Sequence, residues 1–282
     1  MGVSLPSPTA RSESEMSTQS PAEICPCCQH DHTADRTAAQ ELQRSLIPTA
    51  NMKSTRFEVA SRFTPFSDVS GDFMDFFNLP SGLIGLYVGD VVGKGLAAAM
   101  YAALVMGTLR GINKTGETTA AVLALLNRRL LVRPIAGRYC ATLYALFDPS
   151  TRELTFSNAG LPRPLLACAS GCRELGEGGL PSGLFPESSY EIHTVRLAPG
   201  DVVLFATDGL TEIRNHWDED FGWERLGELW APCAEKSAEQ SLELLFEGLD
   251  AFSMHTEQRD DITAVVLKVP VHVEAQPELA TK

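Results

Sequence analysis

The sequence lacks any apolar run of roughly 18 residues, so it offers no segment able to cross a bilayer as a helix. It also lacks a basic start followed by an apolar stretch, which is the pattern of a secretory signal. Basic residues are scarce, since 23 Lys and Arg stand against 36 Asp and Glu and the net charge is −13. Nucleic acid and anionic membrane are therefore excluded as partners, because both would be repelled. We expect a cytoplasmic protein.

The hydrophobic content and most of the cysteines are typical of a folded protein whose thiols are reduced. At 282 residues, of which 44% are hydrophobic, the chain is long enough for one large domain or two small ones with a proper core. Of the seven cysteines, four are scattered in or near the part expected to fold, as is typical of buried thiols in a reducing compartment. These four are Cys140, Cys168, Cys172 and Cys233.

The other three cysteines crowd together with two histidines in the segment CPCCQHDH. Cys25 and Cys28 have the C-x-x-C spacing of zinc ligands, with Cys27, His30 and His32 beside them. The segment is short, and nothing flanking it has the pattern of a folding unit. It is either a small metal site or an unstructured, oxidisable segment, and its isolation favours the second interpretation.

The stretch from Val69 to Met100 carries the most informative pattern of the chain. Two short predicted strands each place an aspartate at or beside their end, Asp72 in the step SGD and Asp90 in GDVVGKG. Glycines beside both aspartates allow the sharp turns that a carboxylate site needs. A helix of small residues follows, and the N-terminus of a helix favours anions. Either aspartate alone is more typical of a turn or a helix cap. Together they suit a hard divalent cation, which prefers carboxylate oxygens.

Two further acidic steps occur far downstream, again at the edges of predicted strands. The segment VVLFATDGLTE delivers Asp208 at the exit of an apolar run, and QRDDITAVVLKV carries Asp260 and Asp261 into another. Four such steps can converge on one edge of a sheet core. The four acidic steps together favour a shared site over four isolated turns.

The four motifs VSGDFMDFF, GDVVGKGLAAAM, FATDGLTE and RDDITAVV, in this order and at these distances, resemble the PPM-type metal-dependent serine/threonine phosphatases. The match is to the bacterial SpoIIE-type branch of stress-response and sporulation regulators, and it extends over 38–269. The resemblance implies a two-metal site for Mn²⁺ or Mg²⁺. By motif position the ligands would be Asp72, Asp90, Asp208, Asp260 and the backbone carbonyl of Val91.

Two assignments near these motifs stay open at this point. Motif position favours Asp260 as the ligand and leaves Asp261 as a supporting acceptor or a strand cap, but both are candidates. Lys94 stands where many relatives carry histidine; it is expected to be solvated, although a lysine there can attract phosphate. Asp75, three residues beyond Asp72, is expected to be solvated or to cap a turn.

The resemblance further implies the activity of a protein phosphatase, with water as the nucleophile. Two cations about 3.5–4 Å apart can activate a water and neutralise the phosphate that leaves. No G-x-S-x-G turn and no C-x₅-R loop occurs in the sequence, which agrees with a reaction that needs no protein nucleophile. The implied partner is a phosphorylated regulatory protein, by analogy an anti-sigma-factor antagonist. Two alternatives remain, a catalytically silent phosphatase-fold binding module and a hydrolase of small phosphoesters; the four intact acids count against the silent module.

Strands in meandering runs with helices in pairs predict an α+β fold. The helices are expected at 96–110, 117–132, 221–230 and 238–254, with strands between them, and the resemblance implies a four-layer αββα sandwich of two antiparallel sheets. Apolar residues at helical spacing, from Ala38 to Ile47, predict a helix from Thr37 that Pro48 ends. We assign 1–34 to a disordered segment, 35–48 to a linker or regulatory helix, 49–270 to the phosphatase domain and 271–282 to a disordered tail. A homodimer formed through the N-terminal helix is a further expectation from the resemblance.

Overall fold

The computed structural model describes residues 32–112, 117–254 and 256–271, which fold into two antiparallel sheets with helices on both outer faces. The helices are α1 (His32–Leu46), α2 (Leu96–Ile112), α3 (Thr119–Leu130), α4 (Gly222–Trp230) and α5 (Ala238–Ser253). The strands are β1 (Met52–Lys53), β2 (Glu58–Thr64), β3 (Phe73–Asn78), β4 (Ile84–Val91), β5 (Cys140–Asp148), β6 (Glu153–Ala159), β7 (Leu165–Cys168), β8 (Gly171–Glu174), β9 (His193–Arg196), β10 (Val202–Ala206) and β11 (Ile262–Lys268).

The strand order of the two sheets does not follow the order of the chain. Sheet A runs β1-β2-β11-β10-β7-β8 and sheet B runs β3-β4-β5-β6-β9, with neighbours antiparallel. The last strand in chain order, β11, therefore lies inside sheet A. Its Val265 pairs with Ser61 of β2 on one side and with Phe205 of β10 on the other.

Successive strand residues point into different cores, because side chains alternate between the two faces of a sheet. In β10, Val203 and Phe205 lie in the core between the sheets, together with Leu86 of sheet B. The intervening Val202 and Leu204 pack on the outer face of sheet A with residues of α4 and α5. A third core joins the outer face of sheet B to α2 and α3. The predicted α+β class and the four-layer αββα architecture are confirmed.

Local sequence explains where two of the outer helices begin. The Ser237 hydroxyl accepts a hydrogen bond from the Gln240 amide, and the Gln240 side chain accepts one from the Ser237 amide, so α5 starts with a capping box. The Thr118 side chain caps α3 in the simpler way, by accepting from the Ala121 amide. Both caps satisfy amide groups that the first helical turn leaves without a partner.

Helix α1 is tied to the body of the protein by polar contacts, which include an exposed ion pair between Arg36 and Asp68. The side-chain amide of Gln43 donates to the Ser70 carbonyl at 2.7 Å and accepts from the Ser70 amide at 2.9 Å. At the end of the helix, the guanidinium of Arg110 on α2 donates to the Leu46 carbonyl. The helix begins at His32, five residues before the predicted Thr37 and inside the segment for which the sequence predicts disorder.

Other differences from the sequence expectations are small. Strands β1 and β8 are not predicted by the sequence, since β1 has two residues and the GCRE stretch of β8 contains little apolar pattern. The cluster residues Cys25, Cys27, Cys28 and His30 lie outside the described residues, as does the predicted disordered tail beyond 271. Within the described ranges, no helix combines the length and apolarity needed to cross a membrane.

Candidate active site

Antiparallel pairing brings the four predicted aspartates to one edge of the sandwich. Asp72 immediately precedes β3, and Asp90 is the next-to-last residue of β4, which pairs with β3. Asp208 follows the end of β10, and Asp260 precedes β11, which pairs with β10. The start of one strand and the end of its antiparallel neighbour share a sheet edge. Each sheet therefore contributes two aspartates at the same end.

Asp72 joins the two sheets through its carboxylate. Its Oδ2 accepts hydrogen bonds from the Thr207 hydroxyl at 2.8 Å and the Thr263 hydroxyl at 2.6 Å, both of which belong to sheet A segments. The side chain is buried, and its carboxyl group also shares a hydrogen bond with Asp90. One oxygen of Asp72 is thus held by fixed donors, which orients the carboxylate towards Asp90.

Burial and mutual repulsion raise the pKa values of this cluster. Burial is the main cause of a pKa for Asp72 well above its ordinary value, and the charges of Asp90 and Asp261 add to it. Burial likewise raises the pKa of Asp90 to about 7, with the charges of Asp208 and Asp260 adding to it. The pKa of Asp208 is raised by burial and then by Asp260. Closely placed carboxyl groups of this kind retain protons until a cation compensates their charge.

The neighbouring acids Asp260 and Asp261 have different surroundings. Asp261 is buried, and its two carboxylate oxygens accept from the backbone amides of Phe66, at 2.7 Å, and Gly71, at 2.8 Å. Asp260 is more exposed, and its charge acts on Asp90 and Asp208. Both oxygens of Asp261 are therefore engaged by the loop that carries Asp72, whereas Asp260 faces the cluster.

Lys94 is exposed, as expected of a solvated lysine, and it also forms an ion pair at the edge of the site. Its ammonium lies 2.9 Å from Oδ2 of Asp260 and donates to the carbonyl of Arg259. It also lies 5.1 Å from the centroid of the Phe66 ring, within reach of a cation–π contact. The glycine-rich loop after β4 thus supplies the cluster with a cation of its own.

Backbone geometry around the aspartates requires glycine at several positions. Gly93 has φ +90° and Gly95 has φ +76°, so the turn after Asp90 uses a region that other residues avoid. A Cβ atom on Gly209 would collide with the carbonyl of Asp261, so only glycine allows the turn after Asp208 to approach β11. Val91 closes the arrangement, because its amide donates to the Gly71 carbonyl at 3.3 Å. The predicted use of the Val91 carbonyl as a ligand stays a prediction.

Sequence reasoning misplaced Asp75 and missed several supporting residues. Asp75 is neither solvated nor a cap, since its Oδ2 accepts from the Arg110 Nε at 2.9 Å and from the Tyr87 hydroxyl at 3.2 Å. The threonines that hold Asp72 were missed, although each lies within three residues of a predicted ligand in the steps TDG and DDIT. Glu212 was missed as well; its pKa is raised by partial burial and by the charges of Asp208 and Asp260.

The donor set fits hard divalent cations. Among the described residues, no three His, Cys, Asp or Glu side chains are already drawn into a closed metal-binding cluster. The side chains at the shared edge are nevertheless oxygen donors, with no thiolate or imidazole among them, which is the preference of Mg²⁺ and Mn²⁺. Their raised pKa values report an excess of negative charge that a cation would compensate.

Comparison with known proteins gives a consistent result. The family model described as Stage II sporulation protein E (SpoIIE) matches residues 80–270. Phosphoserine phosphatase RsbU from Bacillus subtilis (strain 168) is 24% identical over 82% of this chain and 68% of its own length. Protein IcfG from Synechocystis sp. (strain ATCC 27184 / PCC 6803 / Kazusa) is 26% identical over 81% of this chain, and the chain spans 40% of the length of IcfG.

Solved structures share the fold. The SiaA-PP2C domain of Pseudomonas aeruginosa superposes with a TM-score of 0.74 at 21% identity, covering 84% of this chain and 96% of that domain. RsbX in complex with magnesium superposes with a TM-score of 0.59 at 17% identity, covering 78% of this chain and 98% of RsbX. At these identities the likeness concerns the arrangement of the sheets and helices.

Proposed function

The chain belongs to the Stage II sporulation protein E (SpoIIE) family, and on that premise we propose that it is a metal-dependent phosphatase acting on phosphoserine of a regulatory protein. One observation carries the proposal: four aspartates from distant parts of the chain meet at a shared edge of two sheets. Their raised pKa values are the expected property of a cation site before the cation binds. The name of the relative RsbU supports phosphoserine as the substrate group.

We assign the metal ligands to Asp72, Asp90, Asp208 and Asp260, with the Val91 carbonyl as a further oxygen donor. Asp261 is assigned a different role, because backbone amides of the Asp72 loop engage both of its oxygens, whereas Oδ2 of Asp260 is paired with the side chain of Lys94, which can move away. It holds that loop against the start of β11.

Divalent cations, when bound, would supply Lewis-acid activation of a water and neutralisation of the phosphoryl oxygens. The chain's own residues prepare the site for this chemistry. Thr207 and Thr263 hold the Asp72 carboxylate in one orientation, and burial raises the pKa of Asp90 to about 7. Lys94 neutralises Asp260 and would compete with a cation for its carboxylate.

The regulatory-protein substrate and its class are proposed by analogy. Members of the resembled branch act on phosphorylated regulators, and we propose an anti-sigma-factor antagonist as the kind of partner. Fold alone does not identify a substrate. The chain spans less than half of the length of IcfG, so activities that depend on other parts of such relatives are not carried over.

Hydrolysis of p-nitrophenyl phosphate by the full chain, with Mn²⁺, with Mg²⁺ and with excess chelator, tests the proposal. We expect turnover that depends on the metal. Asp90→Asn and Asp208→Asn should each reduce turnover by about two orders of magnitude or more, because each removes a charged ligand.

Asp250→Asn is the matched control, since Asp250 is exposed on α5 and receives the same substitution. It should retain wild-type turnover. If both site variants kept full activity, the ligand assignment would be wrong. If the folded wild-type chain failed with every metal, on this ester and on phosphoserine peptides, the enzyme assignment would be wrong and a silent binding module would remain.

A further inference from the structure

An acid-free, arginine-rich stretch stands out in this acidic chain. Between Glu117 and Asp148 the sequence contains no Asp or Glu, although the chain as a whole carries a net charge of −13. Four arginines lie in this stretch, Arg128, Arg129, Arg133 and Arg138. Among the described residues, none of these arginines forms an ion pair, and the first three are exposed.

Apolar side chains are exposed between and opposite these arginines. Val132 is 73% exposed and Ile135 is 54% exposed, both in the loop that follows α3. Phe185 is 47% exposed in the facing loop, next to the exposed Leu184. The facing loop also carries the exposed acid Glu187, so the positive charge of this surface comes from α3 and the loop after it. Exposed apolar groups beside several cations are a composition that favours binding to another molecule over solvation.

Hydrogen bonds join this surface to the proposed active site. The guanidinium of Arg138 donates to the Val92 carbonyl at 2.5 Å, and the Val92 amide donates to the Tyr139 carbonyl at 3.1 Å. The loop after α3 is therefore fixed to the backbone that directly follows Asp90 and Val91.

The loop that carries Leu184 and Phe185 is also fixed beside the proposed active site. The side chain of Asn127 on α3 donates to the Phe185 carbonyl at 2.9 Å and accepts from the Gly183 amide at 2.7 Å. Cys140, the first residue of β5, forms a backbone bridge with Ser182. Since β5 pairs with β4 at Val91, both loops stand at the edge where the aspartates meet.

We propose that these two loops form the docking surface for the protein substrate, and that the docked partner presents acidic side chains and an apolar side chain close to its phosphoserine. We call this surface the arginine rim and define it by Arg128, Arg129, Val132, Arg133, Ile135 and Phe185. The inference deepens the proposed function and rests on it for the phosphoserine, whereas the charge and apolarity of the partner come from the rim itself.

Charge complementarity is the reason for choosing this partner. A phosphorylated, acidic protein meets repulsion from a chain of net charge −13, so productive encounter needs a local basic surface beside the site. A nucleic acid or an anionic membrane fits less well, because the rim is narrow and its apolar groups include a single aromatic ring on which a base could stack.

The test uses two fluorescent phosphoserine peptides, one flanked by Asp, Glu and Leu and the other by Lys and Ser. Anisotropy in excess chelator measures binding without turnover, and release of phosphate with Mn²⁺ measures kcat/KM. We expect the acidic peptide to be preferred by about tenfold in both measurements at low salt, with the preference shrinking as salt rises.

The double variant Arg129→Gln/Arg133→Gln should reduce that preference to about twofold or less while leaving p-nitrophenyl phosphate turnover unchanged. The double variant Arg56→Gln/Arg196→Gln is the matched control, because both arginines are exposed near the opposite end of the strands and the charge change is the same. Ile135→Ser tests the apolar part and should weaken the acidic peptide alone.

Three results would overturn the inference. The first is that a chain that hydrolyses p-nitrophenyl phosphate does not prefer the acidic peptide. The second is that the control double variant loses the preference equally. The third is that an oligonucleotide binds through Arg129 and Arg133 while neither peptide binds. A chain that binds the acidic peptide through these arginines but hydrolyses nothing would refute the proposed function and keep the docking surface.

Discussion

Asp90 is a residue through which the charge of the site affects the stability of the fold. Burial and the charges of Asp208 and Asp260 raise its pKa from 3.8 to about 7. The folded chain therefore keeps a proton on Asp90 over a range in which the unfolded chain has released it. Stability from this proton is complete below about pH 4 and is lost as the pH rises towards 7.

Without metal, the wild-type chain should thus lose stability between about pH 4 and pH 7, by on the order of 2–4 kcal/mol from this group. Asp90→Asn should flatten that loss, because the amide cannot release a proton, and should be more stable than wild type at neutral pH. Urea denaturation in chelator at several pH values measures both effects. Asp250→Asn should follow the wild-type curve, and equal slopes for wild type and Asp90→Asn would contradict the assignment.

The proposed metal ligation places Lys94 in competition with a divalent cation for Asp260. The cation would have to displace the ammonium from that carboxylate and approach against its positive charge. Lys94→Gln should therefore bind Mn²⁺ more tightly, by about threefold to tenfold, which corresponds to the modest energy of a partly exposed ion pair.

Isothermal titration with Mn²⁺ measures this affinity directly, apart from any turnover. Lys53→Gln is the control, because Lys53 pairs with Glu58 at 3.7 Å on the surface away from the aspartates. Weaker Mn²⁺ binding by Lys94→Gln than by this control would show that the lysine supports the site instead of competing for it.

At the level of single residues, the sequence identifies only some of the side chains that belong to the site. The family resemblance supplies the four proposed ligand positions, and the structure brings these aspartates to one edge. Motif position favoured Asp260 over Asp261 but did not decide between them, since neighbouring residues in extended backbone differ in direction and not in sequence pattern. The ion pair between Asp75 and Arg110 could not be predicted, because the two residues are distant in the sequence.

At the scale of elements, α1 is attached to the domain by a polar network as well as by apolar packing. Asp75, whose side chain is 14% exposed, binds Arg110, which in turn binds the C-terminal carbonyl of α1. Arg110→Ala should cost about 1–3 kcal/mol, because it leaves a half-buried carboxylate and a helix-end carbonyl without their donor.

Urea denaturation measures this loss, and limited proteolysis should show earlier cleavage within α1. Arg36→Ala removes an exposed pair with Asp68 and serves as the control, with an expected change below about 1 kcal/mol. A change in Arg110→Ala no larger than in this control would mean that apolar packing alone holds α1.

Most helices and strands could be predicted because their capping residues and their hydrophobic pattern agree with the side chains that the fold buries. Helices α2 to α5 begin and end within a few residues of the expected positions, and the capping box of Ser237 and Gln240 marks one start. Strand β8 was missed because its pairing with β7, and not its own composition, makes it a strand. Whether α1 controls activity or forms a dimer stays a prediction.

For the whole molecule, the site concentrates charge in a chain that is already strongly acidic. Metal binding should therefore stabilise the entire fold, since two sheets contribute to the same cation site. At a thousandfold excess over its dissociation constant, Mn²⁺ should add about 4 kcal/mol to the free energy of unfolding.

Thermal unfolding with Mn²⁺ and with chelator measures this effect, and added monovalent salt controls for general screening. Asp208→Asn should lose most of the gain. A melting temperature that responds equally to Mn²⁺ and to matched monovalent salt would contradict a specific site. The four-layer architecture itself was predictable through the resemblance, because four motifs in a fixed order indicate the family whose fold it is.

The position of β11 has a consequence for how the protein is made. Strand β11 lies between β2 and β10, yet it is the last of the strands to leave the ribosome. Until then β2 and β10 expose the backbone edges that β11 will pair, and Asp260 and Thr263 are absent from the site. Such long-range closure is slow, and it exposes the nascent chain to aggregation. On the proposed function, a chain that ends before β11 would lack Asp260 and would be inactive, so activity would report that the central strand has been synthesised and paired.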